Sequence, residues 1–171
     1  MNKINNYRVL ARKYRPKAFR DLVGQDVLVK TLNNAILDNK IYHAFILTGM
    51  RGVGKTTTAR IIARSLNCVS DKQDEYKNII PCGECDQCVS IDSSSNVDVI
   101  EIDAASNTGV ANIREIIDNV RYRAVGAKYK VYVIDEVHML STAAFNALLK
   151  TLEEPPSNII FILATTEIRK V

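Results

Sequence analysis

The chain has 171 residues, 47% of them hydrophobic and 25% charged, which suits one domain with its own core and the ordinary composition of a soluble globular protein. No apolar run approaches the roughly 20 residues of a membrane-spanning helix. The basic N-terminus also lacks the apolar stretch and small-residue cleavage site of a secretory leader, so a cytoplasmic protein with no membrane partner is expected. The net charge of +4 is unevenly placed: Lys3, Arg8, Arg12, Lys13, Arg15, Lys17 and Arg20 occupy residues 1–20 without an acid among them. Such a run suits an anionic partner such as nucleic acid, or plain solvation.

In chain order, residues 1–6 read as disordered, and Tyr14-Arg15-Pro16 reads as an extended or turning piece, because the ring of Pro16 disfavours helix at Arg15. Leu28, Leu32, Ala35 and Ile36 have helical spacing, which predicts a helix from about Gln25 to Asn39. Ala44 to Thr48 is a short apolar run and reads as a buried strand. Gly49-Met50-Arg51-Gly52-Val53-Gly54-Lys55-Thr56 follows it, and Thr57 to Asn67 then carries Ala59, Ile62, Ala63 and Leu66 on one helical stripe.

Residues 69–95 turn polar and cysteine-rich, too polar for a core element, and read as an insertion. Val97 to Ile102 reads as a second strand. Val110, Ile113, Ile116, Ile117 and Val120 stripe a second helix, with Ser106, Asn107 or Thr108 as its N-cap. Lys130 to Ile134 is a third buried strand, ending at Asp135-Glu136. Ser141 caps a helix whose inward face is Ala144, Phe145, Leu148, Leu149 and Leu152 and which Pro155-Pro156 stops. Asn158 to Thr165 is a fourth buried strand. Strands alternating with helices imply an α/β fold: a parallel sheet with helices on both faces.

The glycine stretch fits the phosphate-cradling pattern G-x-x-x-x-G-K-[ST] at every fixed position, in the strand–loop–helix context that the motif needs. Its glycines let backbone N–H groups surround a di- or triphosphate above a helix N-terminus. Lys55 is placed to reach the β- and γ-phosphates, and the Thr56 hydroxyl to hold Mg²⁺. Asp135 and Glu136 end a strand at the edge where ligands bind in such sheets. Asp135 then shares the Mg²⁺ with Thr56, and Glu136 polarises the attacking water; the competing reading is an acid pair leading into a helix. Thr165 and Thr166, ending the next strand, suit either a γ-phosphate sensor or a turn. His138 completes a D-E-x-H sequence of the form found in many helicases, and His43 precedes the first strand; neither receives a role.

Cys68, Cys82, Cys85 and Cys88 are the chain's only cysteines. Their clustering in an intracellular chain points to a metal before disulfides. Four thiolates suit a closed tetrahedral Zn²⁺ site, with an iron–sulfur cluster or free thiols as rivals.

Taken together these residues resemble the γ/τ subunits of bacterial DNA polymerase III, the AAA+ motors of the sliding-clamp loader. The resemblance runs through Leu10 to Pro16, Phe19, Val23-Gly24-Gln25, Leu47 to Thr57, the four cysteines, Glu101 to Ser106, Tyr132 to Leu140, Phe145 to Pro156 and Leu163 to Thr166. It implies a P-loop NTPase (AAA+) domain over residues 1–171 with a small zinc module, residues 68–88, inserted after the P-loop helix. ATP, Mg²⁺ and Zn²⁺ are the implied cofactors. Tyr14, Arg15, Pro16, Val23 and Gly24 are implied at the adenine. Gly49, Met50, Arg51, Gly52, Val53, Gly54, Lys55, Thr56 and Thr57 are implied at the phosphates, with Lys55, Asp135, Glu136 and Thr165 (sensor 1) in catalysis.

Thr108, Gly109 and Arg114 are implied at primer–template DNA. The implied partners are the other clamp-loader subunits in a hetero-oligomeric ring, the sliding clamp and primer–template DNA, within a DNA-directed DNA polymerase holoenzyme. The family's arginine finger, sensor 2, helical lid and collar fall beyond Val171, so the domain is expected to stop before its last strand and lid. That leaves the first strand's edge open, with limited stability and some self-association. A DExH helicase piece or a nucleotide-binding scaffold without turnover are the alternatives.

Overall fold

The computed structural model describes residues 10–70, 72–75, 77, 79–107 and 109–171. The expectations for residues 1–6 and for Thr108 lie outside the described residues. Four strands, β1 (Ala44–Thr48), β2 (Val99–Asp103), β3 (Lys130–Asp135) and β4 (Ile159–Thr165), form one parallel sheet in the order β1-β4-β3-β2. The six helices of the described residues are α1 (Leu10–Lys13), α2 (Asp26–Leu37), α3 (Lys55–Asn67), α4 (Asp86–Asp92), α5 (Val110–Val120) and α6 (Thr142–Glu153).

Period-two alternation splits each central strand between two cores. Val131, Val133, Ile160, Ile162 and Ala164 face α2, α3 and α4 through Leu32, Ile62 and Ile91. Tyr132, Ile134, Ile159, Phe161 and Leu163 face α5 and α6 through Ile113, Val120, Ala144 and Leu148. Tyr132 stacks on Phe161 with ring centroids 5.5 Å apart. Both faces are covered, as the apolar runs of β3 and β4 require.

Several boundaries and faces depart from the sequence reading. The extended or turning piece expected at Tyr14-Arg15-Pro16 starts as a turn, the Tyr14 N–H donating to the Leu10 carbonyl at 2.9 Å, but the single helical turn Leu10–Lys13 before it was not anticipated. Helix α3 begins at Lys55, two residues early, because Gly54 takes a left-handed conformation (φ 99°) that a side chain resists. The insertion is not too polar for the core: α4 lays the buried Cys88 and Ile91 against it. Only those two inward residues, three apart, carry its helical pattern.

Strand β2 starts at Val99, since Val97 is exposed and Asp98 is engaged elsewhere. Helix α5 has Gly109 as N-cap; Ser106 and Asn107 are instead drawn into a turn on Asp103, the Ser106 hydroxyl donating to its Oδ2 at 2.8 Å. Leu149 on α6 is part-exposed rather than inward. Ser141 does cap α6, its Oγ accepting from Ala144 N–H at 3.3 Å.

Strand β1 is an edge of the described sheet, with Ile46 half exposed on it. The basic run is partly neutralised: Lys17 pairs with Asp92 at 2.8 Å and Arg20 lies 3.7 Å from Asp21. Asp98 is buried and accepts from the backbone N–H groups of Val125, Gly126 and Ala127, each within 2.9 Å. A carboxylate meeting three donors fixes the loop entering β3. Asp98→Ala is therefore expected to lower unfolding stability by about 2–4 kcal/mol, with Asp98→Asn losing less; a denaturant titration of both variants checks this.

Candidate functional site

Parallel strands bring the ends of β1, β3 and β4 to one edge of the sheet, with Thr48 in register beside Thr165 and Asp103 beside Asp135. The phosphate loop leaves β1 at that edge and runs into α3. Gly49 allows its tight path: a Cβ there would lie 3.0 Å from Val53 Cγ1. The Lys55 ammonium, nearly buried, donates to the loop's own carbonyls, Gly49 O at 2.9 Å and Met50 O at 3.2 Å. It therefore lies over the loop, held in the arc where phosphate oxygens are stronger acceptors than amide carbonyls.

Thr56 Oγ1 donates to Asp135 Oδ2 at 2.5 Å, joining residues 79 positions apart. A hydroxyl and a carboxylate oxygen side by side are the donors a hard cation such as Mg²⁺ takes, together with phosphate oxygens. Glu136 follows in a left-handed conformation (φ 49°), uncommon for a residue with a Cβ and found where surrounding structure imposes it. Its Oε2 accepts from Thr166 Oγ1 at 3.0 Å. Thr165 is wholly buried, and its hydroxyl oxygen accepts from Glu167 N–H at 3.0 Å while facing His138 Nδ1 at 3.0 Å.

Beside the loop lies a cleft of about 180 Å³ lined by Gln25, Leu28, Ile46, Leu47, Thr48, Val53, Lys55 and Thr58. Val23 and Gly24 lead straight into Gln25, while Tyr14 and Val23 are themselves largely exposed. Met50, Arg51 and Gly52 are exposed on the loop and Thr57 is half-buried on α3. Gly109 and Arg114 are exposed on the first turns of α5.

The sequence reading passed over three features here. Leu28 and Ile46 were read only as helix and strand apolar positions. Thr166 was given no partner. His138 was given no role. The signal for the last two was present in the chain, as polar residues just past the C-terminal ends of adjacent buried strands.

The four cysteine sulfurs all lie within 4.8 Å of one another, and Cys82 Sγ and Cys88 Sγ are 4.0 Å apart. A tetrahedral ion with Zn–S bonds of about 2.3 Å separates its sulfurs by roughly 3.8 Å. The spacing thus fits one ion, where a multi-iron cluster holds its ligands farther apart. Backbone N–H groups point at the sulfurs: Cys82 N to Cys68 Sγ at 3.2 Å, Cys85 N to Cys82 Sγ at 3.3 Å and Cys88 N to Cys85 Sγ at 3.5 Å. Such donors stabilise thiolates bound to a metal.

Without a cation the sulfurs are unequal. The N–H groups of Glu84 and Cys85 hold the Cys82 thiol down at about 6, whereas burial pushes the Cys88 thiol up to about 12. A shared dication is what allows all four to ionise together. The module is tied inward by Asp92, which accepts from buried Arg64 of α3 and from Lys17, each at 2.8 Å.

The family described as DNA polymerase III, delta subunit, matches residues 24–171. The Haemophilus influenzae protein named DNA polymerase III subunit tau/gamma is 52% identical over 166 residues, 97% of this chain and 23% of that protein. The Bacillus subtilis DNA polymerase III subunit tau is 54% identical over 166 residues, covering 97% and 29%. A Buchnera aphidicola DNA polymerase III subunit gamma is 53% identical over 166 residues, covering 97% and 44%.

The chain spans less than half the length of these relatives. Among solved structures, the Thermotoga maritima RuvB Holliday junction branch migration motor superposes with a TM-score of 0.54 at 21% identity, over 90% of this chain and 41% of that one. A gamma subunit-related protein of the same organism gives a TM-score of 0.52 at 20% identity, over 84% and 40%. These likenesses show that the fold, a parallel sheet in the order β1-β4-β3-β2 with helices on both faces, is shared with those two structures.

Proposed function

Because the chain belongs to the DNA polymerase III delta-subunit family, we propose that it is the ATP-binding and ATP-hydrolysing part of a gamma/tau subunit, the motor of a bacterial clamp loader. Identity of 52–54% over 97% of the chain to proteins named tau or gamma favours that subunit over others of the holoenzyme. One observation carries the ATPase reading: the Thr56–Asp135 hydrogen bond, which joins the start of α3, just after the glycine loop, to the end of β3.

In this reading Lys55 and the backbone of Gly49 to Thr57 hold the phosphates. The cleft lined by Gln25 and Leu28 takes the adenine side, and Tyr14, Arg15, Pro16, Val23 and Gly24 are assigned to the adenine with it. Thr56 and Asp135 hold Mg²⁺, which supplies neutralising charge to the phosphates. Glu136 orients and polarises the attacking water, and Thr165 senses the γ-phosphate. Zn²⁺ on Cys68, Cys82, Cys85 and Cys88 holds the residue 68–88 module as a structural centre. Gly109 and Arg114 meet primer–template phosphates from the start of α5, and Thr108 is assigned to the same contact from the sequence alone. The partners are the other subunits of a cytoplasmic clamp-loader ring and the sliding clamp. A transition-state arginine supplied by a neighbouring subunit is worth roughly 10³–10⁵ in rate in phosphate-loop enzymes, so this chain by itself is a weak ATPase.

Calorimetric titration with Mg–ATP and a phosphate-release assay, run with and without partner subunits, clamp and primed DNA, test the reading. Binding with slow turnover that rises on assembly is expected. Lys55→Ala, which removes a charge-assisted contact, weakens binding by about 10- to 100-fold. Strand displacement would replace the reading by a helicase, and binding that never leads to turnover would replace it by a scaffold.

A further inference from the structure

His138 lies in the short 3-10 turn Val137–Met139 just after Glu136, with a side chain only 6% exposed. Its Nδ1 faces two groups at once, Thr165 Oγ1 at 3.0 Å and Glu136 Oε2 at 3.4 Å, and its Nε2 points toward Glu167 Oε1 at 3.7 Å. The proton inventory restricts this arrangement. Thr165 Oγ1 has one proton to give and already accepts from Glu167 N–H. A bare Nδ1 would take the Thr165 proton and turn a lone pair toward the Glu136 carboxylate. A protonated Nδ1 instead donates into both oxygens and leaves the Thr165 proton free for another acceptor.

Glu136 cannot readily swing on its backbone, which is held in the left-handed region. The direction of its carboxylate is therefore set by what touches Oε2, and the contacts there are Thr166 Oγ1 and His138 Nδ1.

We propose that His138 is a positioning residue of the hydrolytic centre, whose Nδ1–H links the Thr165 hydroxyl to the Glu136 carboxylate so that the end of β4 sets the direction of the water-activating group. The proposal rests on the ATPase reading above. Through this link, a change at Thr165 when phosphate arrives is passed to Glu136 without passing through the metal ligands.

The test uses the full-length subunit in the assembly with which it purifies, comparing His138→Gln with His138→Asn. The Asn amide sits where Nδ1 was, whereas the Gln amide reaches toward Nε2. A hydrogen bond to a charged group is worth enough that His138→Gln is expected to lower kcat about tenfold or more, with KM and ATP Kd within about twofold of the parent value. His138→Asn is expected to regain most of that loss. Thr165→Val breaks the same link from the other partner, and combined with His138→Gln it is expected to cost less than the two losses multiplied.

Equal kcat for the Gln and Asn variants, a change confined to KM, or full multiplicativity in the double variant would overturn the proposal. Should His138→Gln fail to fold, His138→Ala takes its place, both against His138→Asn and in the double variant with Thr165→Val, with the same outcomes deciding. Absence of ATP turnover in the parent assembly itself would overturn the ATPase reading, a result distinguishable because no His138 variant is involved.

Discussion

Glu136→Gln is expected to leave Mg–ATP affinity within about twofold and to lower turnover by about 10²–10⁴, the range for loss of a positioned general base. The substitution is nearly isosteric. A Gln carbonyl oxygen still accepts from Thr166 Oγ1, which now binds Glu136 Oε2 at 3.0 Å, so the local geometry has no cause to change. What is lost is the negative charge that draws a proton from water. Asp135→Asn makes the contrast: Asp135 is the partner of Thr56 at 2.5 Å and half of the oxygen pair suited to Mg²⁺, so its neutralisation should show in binding first. Equilibrium nucleotide binding and single-turnover phosphate release on both variants check this separation. Equal losses in binding and rate for Glu136→Gln would remove the carboxylate from the water-activating role.

The reading of the fold from sequence succeeded where one pattern dominated and failed where two elements shared a surface. Strands β3 and β4 are apolar runs buried on both faces, and their composition needs no partner to be recognised; β1, an equally apolar run, leaves Ile46 half exposed because it lies at an edge of the described sheet. The phosphate loop and the strand-end acids were legible because the chemistry fixes residue types at fixed spacings. Helix α4 was hidden. Its seven residues contribute only Cys88 and Ile91 to the interior, and one of those is also a candidate metal ligand.

A related clue lay in α3, where Arg64, Ser65 and Asn67 are buried polar residues at positions that an amphipathic helix gives to solvent. They are buried on a helix that α4 packs against, with Arg64 paired to Asp92 and Asn67 bonded to Tyr129. Pairings such as Thr56 with Asp135 and His138 with Thr165 span 79 and 27 positions, and their contact follows from strand order rather than local sequence. The N-cap of α5 went wrong for a local reason: Asp103 competes for Ser106 and Asn107, as short polar side chains often do before a helix.

Removal of a bound metal is expected to lower the melting temperature by roughly 8–16 °C. A ligand at about a thousand times its dissociation constant stabilises the folded state by about 4 kcal/mol, and each kcal/mol moves the midpoint about 2–4 °C at this size. The effect should exceed that of a surface loop because the module is part of the core. Cys88 is fully buried, Ile91 packs with Ala59 and Ile62 in the same cluster, and Asp92 ties the helix to Arg64 of α3 and to Lys17. With no cation, a Cys88 thiol pushed up to about 12 by burial stays protonated while its neighbours lose their common partner.

Cys88→Ser should therefore destabilise more than Cys82→Ser, since it also places a hydroxyl in the interior, whereas Cys82 is only part-buried. Metal analysis of the purified protein, followed by melting with chelator and after zinc is restored, decides the point. One equivalent of zinc, with a midpoint that falls on chelation and recovers on addition, is the expected result. Because Lys17 follows Pro16 on the proposed adenine side, the same chelation should also weaken nucleotide binding. A midpoint and an affinity that both ignore chelator would mean that Asp92, Arg64 and Ile91 hold the module by themselves.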